Sequence, residues 1–223
     1  MRPPGYCWLV QHPGRPGGVD VDALVAPPTP TAALALEAAI EWCSADLVNH
    51  CLRSWVWGVA LADRDSIAFD AELLYVATML HDVGVADHFD ALEVPFERAG
   101  GAVGWTFAAG AAWPAERRRR VFEIIERHMW VSVNPAEDPE GHLLEAATSI
   151  DVAGAGIDQL DAGFLRDVTL ALPRGSFTED FGAAIHAQAV RKPTSNAARL
   201  DDAGRVSAGG AVWQRVLTTG AES

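Results

Sequence analysis

Lysine is almost absent from this chain. Lys192 is the only one, and arginine supplies the rest of the 17 basic residues, set against 30 acidic ones. In an alanine-rich sequence that usage reads as coding bias. The formal net charge of −13 lacks the basic surface that a phosphate backbone selects, so no nucleic-acid partner is expected. Cysteine is scarce and odd in number. Cys7, Cys43 and Cys51 show no CxxC spacing, which argues against a disulfide framework, and Cys43 and Cys51 fall in a helical pattern where cysteine acts as a small buried hydrophobe. Long apolar runs are missing too. Pro3, Pro4, Pro13 and Pro16 interrupt the N-terminus before a secretory h-region can form, and the uncharged stretch Gly100–Ala115 is glycine-rich and too short to cross a bilayer. No segment alternates with period two, and none repeats. The expectation is a cytoplasmic protein with no membrane partner.

What is present is apolar residue at helical spacing. With 223 residues and 49% hydrophobic content, the chain can bury one core, and the fold class is all-α. Residues 1–30 carry prolines and glycines with little periodicity and read as an irregular N-terminal arm, with Trp8, Leu9 and Val10 able to pin it to the body. Residues 31–223 form the domain and its C-terminal helices. Thr31 reads as an N-cap for a helix from Ala32 to about Ala62, whose seam steps through Leu36, Ile40, Cys43, Leu47 and His50. Asp70 opens the next helix, with Leu74, Ala77 and His81 on its inner face. Further helices are expected at about Glu97–Ala112, from Ala115 after Pro114, at Glu140–Ala153 before Gly154, and at Phe164–Leu172, Glu179–Val190 and Gly210–Leu217.

Three of these apolar seams contain hydrophilic side chains that packing does not explain: His50, the doublet His81-Asp82, and Asp151. Burying an imidazole beside a carboxylate is costly unless each finds a partner. A divalent cation satisfies both at once, and two imidazoles with two carboxylates offset its charge. The mixed nitrogen and oxygen set makes His50, His81, Asp82 and Asp151 the candidate ligands of one divalent metal ion, zinc first, with iron or manganese as alternatives.

A histidine, a His-Asp doublet some thirty residues on and a distal Asp resemble the pattern of the HD-domain metalloenzyme superfamily, a helical bundle. Further segments resemble its cyanamide hydratase-like branch: Asn49-His50-Cys51-Leu52-Arg53-Ser54-Trp55, His81-Asp82-Val83-Gly84, Leu92-Glu93-Val94 with Gly100-Gly101-Ala102, Glu126-Arg127-His128, Ser149-Ile150-Asp151-Val152-Ala153-Gly154 and Arg191-Lys192-Pro193. The resemblance spans about residues 32–200. It implies a metal-dependent hydrolase or hydratase that activates water against a small polar substrate, such as a nitrile hydrated from cyanamide to urea. It also makes His128 a residue that contacts substrate or supports the ligands. Between the doublet and Pro95 the chain is more charged than relatives of that kind, at Asp87, His88 and Asp90.

Proton handling then falls to Asp82, His128, Glu93 or Asp87, and substrate contacts to Arg53, Trp57 and His128. Each has a structural counterpart. Arg53, one turn after His50, reaches either an anionic substrate or a structural carboxylate. Glu93 orients water or braces a helix, and His128 is equally a satisfied core histidine. Arg117–Arg120 reads as a solvent-facing ladder with Glu116, Glu123 and Arg127 rather than a phosphate site. Seven of the eight tryptophans lie between Trp8 and Trp130; they fill a core or cover a homo-oligomer interface. The alternative activity is an HD-type phosphohydrolase acting on a nucleotide or other small phosphoester, with Arg53 holding the phosphoryl charge. A two-iron oxygenase would need further ligands from His88, His128 and His142, and a non-catalytic binding scaffold is the remaining class.

Overall fold

The computed structural model describes residues 19–218, and every regular element among them is helical. Trp8, Leu9, Val10 and Cys7 lie outside these residues. The end of the expected arm is not irregular. Asp20 accepts the amide of Ala23 at 3.1 Å and starts α1, Val21–Val25, which buries Val21 and Leu24.

The long helix expected from Ala32 to Ala62 is two helices. α2, Pro30–Trp42, is capped by Thr29 with proline in its first turn, where the missing N–H costs nothing. Cys43 is extended (φ −111°, ψ 157°), and the Ser44 side chain accepts the Leu47 amide at 3.3 Å to start α3, Ala45–Asp65. The break resets the helical phase. Ile40, placed in the inner seam by counting residues, is 60% exposed, whereas Leu47 and His50 beyond the break are buried.

Other boundaries follow their local chemistry. Asp70 accepts the Leu73 amide (2.9 Å) and opens α4, Ala71–Leu80. A 3-10 turn at Val83–Val85 and a loop lead to α5, Phe96–Gly110, and Pro114 precedes α6, Ala115–Arg127. α7, Pro139–Ala153, stops at Gly154, whose φ of 64° is the left-handed C-cap conformation glycine adopts freely. α8 (Ala162–Ala171), α9 (Phe177–Arg191), α10 (Asn196–Asp202) and α11 (Arg205–Thr218) complete the chain.

α3 is the axis. It is buried from His50 to Ala62 and packs on α4, α7 and α9. Its Trp55, Val56 and Leu61 join Leu74, Met79, Ile124, Leu144 and Ile150 in the main core, each contributing about 1.5–3 kcal/mol. A smaller cluster of Leu47, Phe96, Phe177, Phe181 and Ile185 closes the end near the doublet. No helix among the described residues is long and apolar enough to cross a membrane.

α5 crosses the turn after the doublet at van der Waals contact because both surfaces lack side chains. A Cβ on Gly84 would meet the Phe96 carbonyl, and one on Gly100 would sit 2.8 Å from the His81 carbonyl oxygen. Backbone cannot yield as a side chain does, so Gly100→Ala is expected to cost about 1–3 kcal/mol, read by urea denaturation. A loss below about 0.5 kcal/mol would mean that α5 moves freely against the turn.

The arginine run works across helices rather than as a solvent-facing ladder. Arg117 bonds Asp70 and Glu72 at the start of α4, and Arg120 and Arg127 both reach Asp138 at 2.6 Å. Only Glu123–Arg127 (3.7 Å) keeps the expected i,i+4 geometry. Asp138 also caps α7 by accepting the Gly141 amide, so Asp138→Ala is expected to cost about 1–2 kcal/mol through the cap alone. Burial raises the Asp138 carboxyl pKa, but the two arginines outweigh it and hold the group below the usual carboxylate range. A pKa depressed by folding stabilises above the unfolded value of about 3.9, and the contribution is lost as pH falls through the lower folded value. The destabilisation by Asp138→Asn is therefore expected to be full at pH 6 and to vanish in acid, as measured by urea titrations at several pH values.

Candidate metal centre

α3 carries His50 on its buried face, and α4 ends on His81, its C-cap. Asp82 follows at φ −101°, ψ 5°, the sparsely populated bridge region, which turns its carboxylate back toward the two rings. The result is a nearly equilateral triangle of donor atoms. His50 Nε2 lies 3.1 Å from His81 Nε2, and Asp82 Oδ2 lies 3.3 Å from each. All three side chains are buried.

The far sides of both rings are committed. His81 Nδ1–H donates to the Thr78 carbonyl at 2.7 Å, and His50 Nδ1–H donates to Asp151 Oδ2 at 2.7 Å. With those protons placed, each Nε2 presents a lone pair inward. Two lone pairs at 3.1 Å repel unless a cation or a proton lies between them. Burial lowers the pKa of both imidazoles, but for His50 the carboxylates of Asp151 and Asp82 outweigh it and raise the value, while His81 stays depressed. Burial likewise pushes Asp82 up, and the surrounding imidazoles pull it well below the ordinary carboxylate range. Both Asp82 oxygens are nevertheless buried without a hydrogen bond.

These features fit a divalent ion. Donors about 2.1 Å from one ion and 90–110° apart stand roughly 3.0–3.4 Å from each other, which matches all three edges. The orphaned Asp82 oxygens supply the negative charge. His50, His81 and Asp82 form the one group among the described residues able to hold such an ion.

Asp151 is placed differently from the expectation that it is a fourth ligand. It stands behind His50, outside the triangle, and its carboxylate is saturated. Oδ1 accepts from Arg53 Nε (2.8 Å) and Trp57 Nε1 (3.0 Å), while Oδ2 accepts from His50 Nδ1 and Arg53 NH2 (2.8 Å), with Arg174 NH1 at 3.3 Å. A hydrogen-bonded carboxylate behind a ligating imidazole fixes its tautomer and ring orientation. Of the two partners considered for Arg53, the structural carboxylate is the one it meets. Its NH1 goes to the Leu172 and Pro173 carbonyls, so each guanidinium nitrogen has a partner within the protein. Trp57, expected at the substrate, is fully buried between Trp213 and Phe164.

His128, at the end of α6, does join the centre. Its Nδ1–H donates to the Ile125 carbonyl, its Nε2 lies 3.5 Å from Asp82 Oδ1, and its ring stands edge-on to His81 at 4.9 Å. Glu93 is exposed on the loop before α5 and is not in the group of donors. Asp87 is exposed too but lines a cavity of ≈ 340 Å³ beside the centre, together with His88. His88 packs edge-on against Trp42 and His142 bonds the Val133 carbonyl, so neither enters the triangle.

Three contributors escaped the sequence. Phe177 stacks on His50 (4.5 Å, 16°), and Phe181 stacks on Phe177. Arg174 lies over Phe177 and Trp213 beside Asp151, with both terminal nitrogens buried and lacking a hydrogen bond. They come from the loop after α8 and from α9, far from the doublet in sequence. The only local signal was a second arginine flanked by proline and glycine at 173–175.

The HD domain family model matches residues 47–154, from three residues before His50 to the glycine that ends α7. Two yeast proteins are similar over most of their length. Cyanamide hydratase DDI2 and cyanamide hydratase DDI3 of Saccharomyces cerevisiae are each 28% identical over 186 residues, covering 81% of this chain and 82% of theirs.

Proposed function

We propose, for a chain that belongs to the HD-domain metal-dependent hydrolases and hydratases and to their cyanamide hydratase-like branch, that it holds one zinc ion on His50, His81 and Asp82 and hydrates a small nitrile. Cyanamide, the compound in the names of the yeast relatives, would give urea. The observation that carries this proposal is the buried donor triangle with His128 at its edge. When bound, the ion supplies a water acidic enough to lose a proton near neutral pH.

The chain's own residues do the rest. Asp151 holds His50 in register through Nδ1, and the Thr78 carbonyl does so for His81. His128 has Nδ1 tied to Ile125, which leaves Nε2 as the atom that takes a proton from the attacking water and returns it to the nitrile nitrogen. Oxygen adds to the carbon, both protons of the water end on product, and the nitrile becomes an amide. Phe177 and Phe181 shield this step from bulk water.

The experiment is metal analysis with urea release from cyanamide. About one ion per chain, urea formation abolished by chelation and recovery with zinc are expected. Urea release unaffected by removal of all metal would overturn the mechanism. The phosphoester alternative depends on Arg53, whose nitrogens are already taken by Asp151, Leu172 and Pro173. Nucleoside monophosphate turnover is expected to be undetectable beside that of cyanamide.

A further inference from the structure

Cyanamide has three non-hydrogen atoms, and the cavity beside the centre is far larger than that. At ≈ 340 Å³ it has room for on the order of ten non-hydrogen atoms, taking the ~30 Å³ share of a liquid water as the unit. Its lining holds none of the three donors, but four lining residues neighbour them. Leu47, one turn before His50, and Phe177, stacked on the His50 ring, form one wall, and Val85 and Ala86, just past the doublet, form another.

The lining divides by chemistry. One part of it is apolar and aromatic, made by Trp42, Leu47, Val85, Phe177 and Phe181. The other lining residues include three aspartates, Asp46, Asp87 and Asp180, with no lysine or arginine among them. Ser176 ties two of these aspartates together. Its hydroxyl lies 3.0 Å from Asp46 Oδ2 and 2.5 Å from Asp180 Oδ2. The Ser176 amide also donates to Asp46 Oδ2 at 2.7 Å, which leaves the hydroxyl proton for Asp180; two carboxylates side by side favour an incoming cation and repel an anion.

Building on the hydration proposed above, we infer that the substrate is a nitrile larger than cyanamide, with an apolar body on the Phe177–Phe181 wall and a distal end that is uncharged or cationic, never anionic. The nitrile head enters beside His50 and Asp82, and the reaction stays nitrile plus water to amide. Aromatic walls supply the affinity through buried area, and the acidic side supplies discrimination by charge.

The test uses the zinc-loaded protein and four nitriles: cyanamide, phenylacetonitrile, and phenylacetonitrile bearing a para-aminomethyl or a para-sulfonate group. Amide formation is followed by mass spectrometry. Phenylacetonitrile is expected to exceed cyanamide in kcat/KM by at least about tenfold, the gain from one well-packed apolar group. The aminomethyl compound should equal or exceed it, and the sulfonate should fall at least about tenfold below it. Asp180→Asn should narrow the cation-to-anion ratio severalfold, and Ala184→Trp, which fills the cavity, should penalise phenylacetonitrile more than cyanamide. Cyanamide outrunning every aryl nitrile, or a sulfonate as good as the amine, would overturn the inference and leave the hydratase itself standing. If no nitrile, cyanamide included, is hydrated, the proposed reaction fails, and calorimetric binding of the same three aryl compounds decides the cavity alone. The order amine, neutral, sulfonate supports it, and equal affinities overturn it.

Discussion

Replacing His81 with alanine is expected to leave less than about a tenth of an ion per chain and to lower kcat at least about a thousandfold, the scale on which removal of a metal-activated nucleophile is felt. His81 contributes one corner of the triangle, and its position is fixed from behind by the Thr78 carbonyl at the end of α4. Without it, His50 and Asp82 are two donors, fewer than the three protein ligands typical of a catalytic zinc. Activity alone would not separate loss of the ion from loss of the fold. Thermal unfolding with and without zinc does. A ligand at a thousandfold excess over its Kd stabilises by about 4 kcal/mol, which in a chain of this size raises Tm by about 8–16 °C. The wild type is expected to show that shift and His81→Ala to show nearly none, while the metal-free forms melt within a few degrees of each other. A variant that still gained the full shift would place the ion elsewhere.

The doublet was legible because its helix ends without an apolar reason to end there. Asp70, Pro114 and Gly154 announced their boundaries just as plainly, through a side-chain cap, a missing N–H and a left-handed cap. The break at Cys43 was not legible by periodicity, since Leu36, Ile40, Cys43 and Leu47 continue at helical spacing across it. Ser44 with Asp46 in the following turn was the local cue, and a capping serine competes poorly on paper with a seam of that length. The centre shows the same division. Spacing put His50, His81 and Asp151 on inner faces, where all three are. It carried no information on which atom of each would meet which neighbour. A carboxylate one helix away from an imidazole can share an ion with it or hold it from behind, and the difference is a rotation of a few ångströms set by Arg53, Trp57 and Arg174. Glu93 and Trp57 show the same limit. Nearness in sequence to a site residue says nothing of side-chain direction, which sends Trp57 into the core and leaves Glu93 in solvent.

Asp151→Asn separates the two arrangements and carries a large effect on stability. The wild-type carboxylate is the counter-charge for Arg53, which is fully buried, and it also faces Arg174. Removing that charge leaves two guanidinium groups in the interior without it, and breaking a buried pair in this way costs about 3–5 kcal/mol, or a Tm lower by roughly 10 °C. The asparagine oxygen still accepts one hydrogen bond, but it cannot serve His50, Arg53 and Trp57 together. His50 therefore loses its fixed tautomer, and zinc affinity is expected to weaken about 10–100-fold with the stoichiometry unchanged. Arg53→Gln supplies the contrast, because it disrupts the same buried pair while leaving the Asp151 carboxylate on His50 Nδ1. It should lower Tm comparably and weaken zinc binding less than about tenfold. X-ray absorption at the zinc edge gives the remaining discrimination. A carboxylate that acts only through His50 leaves the nitrogen and oxygen shell of the ion the same in wild type and Asp151→Asn at saturating zinc. A ligand lost from that shell in the variant would put Asp151 on the ion itself and make the saturated carboxylate behind His50 a feature of the metal-free protein alone.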